Sequence, residues 1–161
     1  MRLTTRTNLA MRVLMFCATY PQRQHRSADI AAACNVSVNH LMQVVPVLHR
    51  QGYIRATRGR SGGVELATLP EQVKVGEVFR HFEASLPFAE CFSETGNTCP
   101  LTPACRLRSA LEQALEAFYT SLDDVTLASL VQGNSGLEML FVDPPQATSP
   151  GPDCPSAQRA G

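Results

Sequence analysis

Between Ser27 and Ala67 two capped helical segments and a glycine-rich hairpin follow one another without a gap, and this order restricts the fold more than any other stretch. Ser27 stands where an N-cap belongs, ahead of the apolar run Ala28–Cys34, and Asn35 supplies the stop. Ser37 caps a second segment, Val38–Arg50, which Gly52 terminates. Two short helices joined by a tight turn have helix-turn-helix dimensions. The next run, Tyr53 to Ala67, places β-prone residues on both sides of Arg58-Gly59-Arg60-Ser61-Gly62-Gly63, the pattern of a hairpin with a flexible basic tip. A hairpin directly after a helix-turn-helix makes a winged helix. Pro46 falls inside the second helix and predicts a kink in its last turns, since an interior proline costs about 3 kcal/mol. The glycines lack the strand-then-helix context and the Gly-Lys-Ser/Thr ending of a phosphate loop.

Charge supports a nucleic-acid partner for this half. Residues 1–60 hold nine arginines against one acid, Asp29, while residues 61–161 hold five basic residues against thirteen acids. The formal net charge of zero therefore conceals two halves of about +8 and −8. An arginine-rich lobe almost free of acids suits a phosphate backbone. No apolar run approaches a membrane span, and the N-terminus lacks the apolar stretch and cleavage site of a secretory signal, so a cytoplasmic location is expected.

The other elements follow from apolar periodicity. Leu9, Val13, Phe16 and Cys17 give residues 3–19 one apolar helical face, ended by Pro21. Val75, Val78, Phe79 and Phe82 mark a short amphipathic helix to about Glu83. Residues 84–102 read as a loop. Thr102-Pro103 reads as a helix start that puts Cys105 at the third helical position, and Leu107, Leu111, Leu115, Phe118 and Leu122 form a stripe along that helix. The sequence thus predicts a mainly α fold with a small β-hairpin wing: a winged helix-turn-helix over 1–69, a connector helix and cysteine loop over 70–104, a long dimerisation helix over 105–131, and a largely disordered tail over 132–161.

Cys91, Cys99 and Cys105 are spaced Cys-x7-Cys-x5-Cys. A disulfide would use two and leave one over, and a reducing cytosol disfavours it. Three thiolates suit an iron–sulfur cluster with one further ligand. Structural zinc usually shows shorter spacings and four protein ligands, and redox-active free thiols are the third alternative. Cys17 and Cys34 read as small core residues, Cys154 as an exposed tail thiol, and His81 as an isolated group. No nucleotide fingerprint or nucleophile–base pair suggests an enzyme.

Three segments carry a resemblance to a known family: Met1-Arg2-Leu3-Thr4, the wing Arg58-Gly59-Arg60-Ser61-Gly62-Gly63-Val64, and Cys99-Pro100-Leu101-Thr102-Pro103-Ala104-Cys105-Arg106-Leu107. Over about residues 1–142 the chain resembles the winged-helix iron–sulfur repressors, the group of IscR, NsrR and RirA. It looks most similar to the nitric-oxide-sensing branch. The resemblance implies a homodimer that reads a palindromic operator in double-stranded DNA, with a [2Fe-2S] or [4Fe-4S] cluster on Cys91, Cys99 and Cys105. Where the IscR type has a fourth-ligand histidine this chain has Arg108, and where the nitric-oxide branch has an aspartate it has Asn8, the remaining candidate. Arg2, Arg6, Arg50, Arg55, Arg58 and Arg60 are expected on phosphates, Arg58 or Arg60 entering the minor groove. Ser37, Asn39, His40 and Gln43 are expected on base edges. An iron-responsive, RirA-like regulator is the alternative of the same class.

Overall fold

The computed structural model describes residues 3–59, 62–83, 86–93 and 95–141. Arg2, Arg60 and Cys154 lie outside the described residues. The first helix, α1 (Thr5–Thr19), begins two residues into the expected span because Thr4 caps it, its hydroxyl accepting from the Thr7 N–H at 3.2 Å. Its inward face carries Leu9, Val13, Leu14, Phe16 and Cys17, all buried. Phe16 is the hub of an aromatic cluster, with ring centroids 4.8 Å from His25, 5.8 Å from Tyr20 and 5.4 Å from Phe141.

Next come α2 (Ser27–Ala33) and α3 (Val38–Arg50), whose axes bend by 110° across the intervening turn. That is helix-turn-helix geometry. Ser27 proves to be the first residue of α2 rather than its cap. The cap is Arg26, whose carbonyl accepts from the Asp29 and Ile30 amides at 3.0 and 3.1 Å. Asn35 takes the left-handed conformation, φ 50°, that lets the chain leave α2. Ser37 caps α3 as expected, accepting from the His40 amide at 3.2 Å. Pro46 stands inside a continuous α3, on its exposed side.

The wing consists of β1 (Ile54–Ala56) and β2 (Val64–Leu66), antiparallel, with Ile54 opposite Leu66, Arg55 opposite Glu65 and Ala56 opposite Val64. It has a third member that its own sequence does not announce. His25, just ahead of α2, bridges Val64 with a reciprocal pair of backbone hydrogen bonds, both 2.8 Å.

A 3-10 turn at Pro70–Gln72 leads into α4 (Val75–Glu83), and further 3-10 turns at Glu90–Phe92 and Thr102–Ala104 frame the cysteine loop. The long helix, α5 (Arg106–Asp123), lies against α4. The span 105–131 is not one helix. Val125 and Thr126 break it, and Thr126 caps α6 (Leu127–Val131), which turns back onto α1 with Leu127 fully buried. Val75 donates to Val125 O at 2.9 Å and Leu127 donates to Val73 O at 2.8 Å, fastening the two ends of this excursion together. Order also continues past 131: Ser135–Leu140 form α7, and Phe141 is buried against Phe16, while Tyr20 donates to its carbonyl at 2.8 Å. The expected boundaries at 69 and 131 therefore both fall within one hydrophobic core, shared by α1–α4, the wing, α6 and Phe141. The apolar content of these late segments is too small to bury itself, so they borrow the core of the winged helix.

Candidate DNA-binding face and cysteine loop

The polar candidates described on the winged helix are accessible to solvent. Asn39, His40 and Gln43 project from the first two turns of α3, exposed, with Arg50 at its end and Arg58 near the wing tip. Arg6, on α1, reaches α3 and donates to Gln43 O at 3.5 Å. Ser37 is committed locally, its hydroxyl lying 3.1 Å from His40 Nδ1 besides capping the helix. Arg55 is exposed and also pairs within the wing, its Nη1 2.8 Å from Glu65 Oε1 directly across the strand pair.

Between α3 and the wing lies a groove of about 760 Å³. Met42, Val45, Pro46, Ala56 and Val64 form its floor, and Arg26, His49 and Arg58 stand on its rim. Sequence reasoning missed Arg26 and Met42. The arginine sat among charges with no visible direction, and the methionine, 49% exposed, fell inside the run 37–43 expected on base edges without being singled out. The wing closes onto the body because Gly63 has no side chain. A Cβ there would stand 2.6 Å from His25 O and 2.8 Å from Gln24 Cγ.

Cys91, Cys99 and Cys105 are free thiols, each half-buried, within the segment that joins α4 to α5. Cys91 sits in the Glu90–Phe92 turn and Cys99 just ahead of the Thr102–Ala104 turn. Cys105 is the N-cap residue of α5, not its third residue, because the Pro103 turn is 3-10 and the backbone opens to ψ 104° at Cys105 before α5 begins. Glu90 ties the first two cysteine turns together, accepting from both the amide and the hydroxyl of Thr98 at 2.7 Å. These hydrogen bonds, the amide first, hold the Glu90 carboxyl below its ordinary range. Asn97 and Thr102 close the second turn, with Cys99 N donating to Asn97 Oδ1 at 3.1 Å and Thr102 Oγ1 donating to Cys99 O at 2.9 Å. Arg108, where a fourth-ligand histidine would stand, instead extends its guanidinium over the Phe92 ring at 5.9 Å and pairs with Glu112 at 3.2 Å. Asn8 is exposed on α1.

Three half-buried soft sulfur donors, none spent on a disulfide, suit an iron–sulfur cluster by donor chemistry. Among the described residues no three His, Cys, Asp or Glu side chains converge into a metal-holding group within this one chain. The set therefore fits such a cluster by donor chemistry alone.

The end of α4, from which the cysteine segment departs, is bonded to the N-terminus of α1. Glu83, the last residue of α4, accepts from Thr4 N at 2.9 Å, from Thr4 Oγ1 at 3.0 Å and from the Thr7 hydroxyl. A carboxylate thus sits on the N-terminus of α1, where the helix dipole favours it. Beside it, Leu3, Leu86, Pro87, Phe88, Leu115 and Tyr119 line a second cavity of about 400 Å³, joining α1, the loop and α5.

The family model described as "Rrf2: Iron-dependent Transcriptional regulator" matches residues 3–133. The chain belongs to the Rrf2 family. It is 45% identical to the HTH-type transcriptional regulator NsrR of Geobacillus kaustophilus over 142 residues, 88% of this chain and 97% of that one. It is 38% identical to NsrR of Bacillus licheniformis, again over 142 residues, covering 88% and 99% of the two chains. Among solved structures, Staphylococcus aureus CymR in its oxidised form superposes with a TM-score of 0.63 at 25% identity, over 82% of this chain and 97% of that one. T. potens IscR superposes with a TM-score of 0.63 at 24% identity, over 81% and 85%, and shares the fold. This Rrf2 protein is accordingly a DNA-binding transcriptional regulator of mainly α winged-helix fold, not an enzyme. No single described helix is long and apolar enough to cross a membrane.

Proposed function

We propose that this Rrf2 protein is a homodimeric repressor that binds a palindromic operator and releases it when nitric oxide attacks an iron–sulfur cluster held by Cys91, Cys99 and Cys105. The observation that carries the reading is the bonding between the end of α4 and the N-terminus of α1. The cysteines occupy the segment that leaves α4, and the last residue of α4 holds the N-terminus of α1 through Glu83. When bound, the cluster supplies a centre reactive toward nitric oxide. The residues of the chain supply the transmission. Tightening the loop around the cluster fixes the end of α4 and hence Glu83. Relaxing it frees Thr4 and Thr7 and lets the winged helix shift relative to α5. Identity to relatives named NsrR supports nitric oxide as the signal.

The second copy would cover α5. No residue of that helix is buried, and Leu107 is 65% exposed despite heading an apolar stripe. Arg58, Arg50 and Arg6 would contact phosphates, with Asn39, His40 and Gln43 on base edges. Asn8 would meet the partner's cysteine loop.

The family description favours one other reading, iron status, in which the cluster is lost under iron starvation. One experiment separates the two. Protein isolated without oxygen, with iron and sulfide counted, is titrated on operator DNA with nitric oxide and, separately, with a chelator. Loss of binding at sub-stoichiometric nitric oxide is expected. Binding that withstands nitric oxide but yields to the chelator would select the iron reading, and a colourless protein with stoichiometric zinc would reject both.

A further inference from the structure

Two residues on the exposed side of α3 do not fit a purely polar reading face. Val38 is 44% exposed and Met42 is 49% exposed. They are four apart, so they lie one above the other on the same side of the helix, and Pro46, also exposed, continues the line into the wing groove. Scattered surface apolar groups need no explanation. These three form a stripe, and it adjoins the polar pair Asn39 and Gln43, itself spaced by four.

The partner of this stripe is selected by its surroundings. Arg6, Arg50 and Arg58 are exposed on the same lobe, whose sequence carries nine arginines against one acid over residues 1–60. A protein partner complementary to that charge would need an acidic face with apolar knobs. A DNA major groove presents both features at once: phosphates on its walls, and one apolar group on its floor, the C5-methyl of thymine. Asn and Gln side chains complement the adenine edge of the same base pair.

We infer that Val38 and Met42 are specificity residues that read thymine C5-methyl groups in each operator half-site, beside Asn39 and Gln43 on adenine edges. This rests on α3 being the reading helix of the proposed repressor. It adds apolar readout to the polar contacts and requires A·T pairs at the positions that α3 meets.

The test removes single methyls from the DNA. The full chain, purified without oxygen, enriches duplexes from a random pool. The enriched half-site is then rebuilt with each dT replaced in turn by dU, which deletes the C5-methyl and leaves base pairing intact. The wild-type chain is expected to lose about fourfold in affinity at one or two of these positions, as for one methyl group returned to water. Val38→Ala and Met42→Ala should each cancel the dU penalty at one position and leave it at the other, since changes on the two sides of one contact are not additive. Both side chains are exposed, so thermal melts should match wild type. A flat dU series overturns the thymine reading while leaving α3 on DNA, and so do dU losses that persist unchanged in both variants. Failure to enrich any duplex overturns the DNA-reading role of α3 and this inference with it.

Discussion

Glu83 shows how much one carboxylate can organise. It satisfies the backbone N–H of Thr4 and the hydroxyls of Thr4 and Thr7, groups that otherwise compete for water at the start of α1. Glu83→Ala is expected to lower stability by about 1–2 kcal/mol in urea unfolding, and Glu83→Gln by less, because the amide oxygen can still accept. The cysteines divide just as sharply. Burial pushes the Cys17 thiol up to about 12 and the Cys34 thiol up to about 11, so both are unreactive as thiols. Cys91, Cys99 and Cys105 are partly open. A thiol reagent added to cluster-free native protein should therefore modify those three quickly, while Cys17 and Cys34 react only on unfolding. Peptide mapping after a short pulse distinguishes the two groups. Sequence alone separated these sets by context, since Cys17 and Cys34 lie in apolar helical patterns and the other three do not. It could not find Glu83, because a link between residues 79 positions apart leaves no local trace.

At the scale of elements, caps and punctuation were the legible part. Asn35 ended α2, and Ser37 and Gly52 delimited α3, because each answers a backbone need that only a few residues meet. Cross-element pairing was illegible for the opposite reason. Nothing near Arg55 announced that the register would place Glu65 opposite it. Arg80 gave no signal, yet it clamps α4 to α5 by bonding both oxygens of Asp123 at 2.8 Å while lying over Tyr119 at 4.9 Å. The wing gives the clearest test at this scale. Gly63→Ala would drive a methyl group against the His25 carbonyl and lift β2 off the body. A loss of about 1–3 kcal/mol is expected, with DNA affinity falling further than stability does. Affinity measured well below the melting temperature checks this. Equal DNA binding by the variant would mean that the wing makes no contact.

For the molecule as a whole, the late segments changed most between sequence and structure. The stretch beyond 131 lacks the apolar density of an independent unit, and Phe141 finds its place against the Phe16 ring and under the Tyr20 hydroxyl. Global stability carries a pH signature. Tyr53 Oη lies 2.8 Å from His81 Nδ1, and burial together with the Glu77 charge pushes its phenol up to about 12. Cys17 and Cys34 are raised as well, chiefly by burial. All three groups are neutral in the fold and ionise more easily once unfolded. Their stabilising effect is thus complete below the unfolded-state values, 9.0 for the thiols and 10.0 for the phenol, and is lost as pH climbs toward the folded ones. The urea midpoint should hold steady up to about pH 9 and then decline. Cys34→Ala should make that decline shallower, while Cys17 keeps its onset near pH 9.

The bridge between His25 and Val64 clasps the start of β2 to the segment that leads into the α2–α3 pair, making one jaw of a caliper. In the proposed dimer, with each jaw clasped in this way, adjustment of pitch would fall to the joint between the two copies. Adding one base pair at the centre of an operator turns one half-site by about 35° around the duplex axis. A clasped jaw cannot follow that rotation, so the insertion should cost nearly as much affinity as deleting a half-site, whereas a freely hinged hairpin would have absorbed part of it.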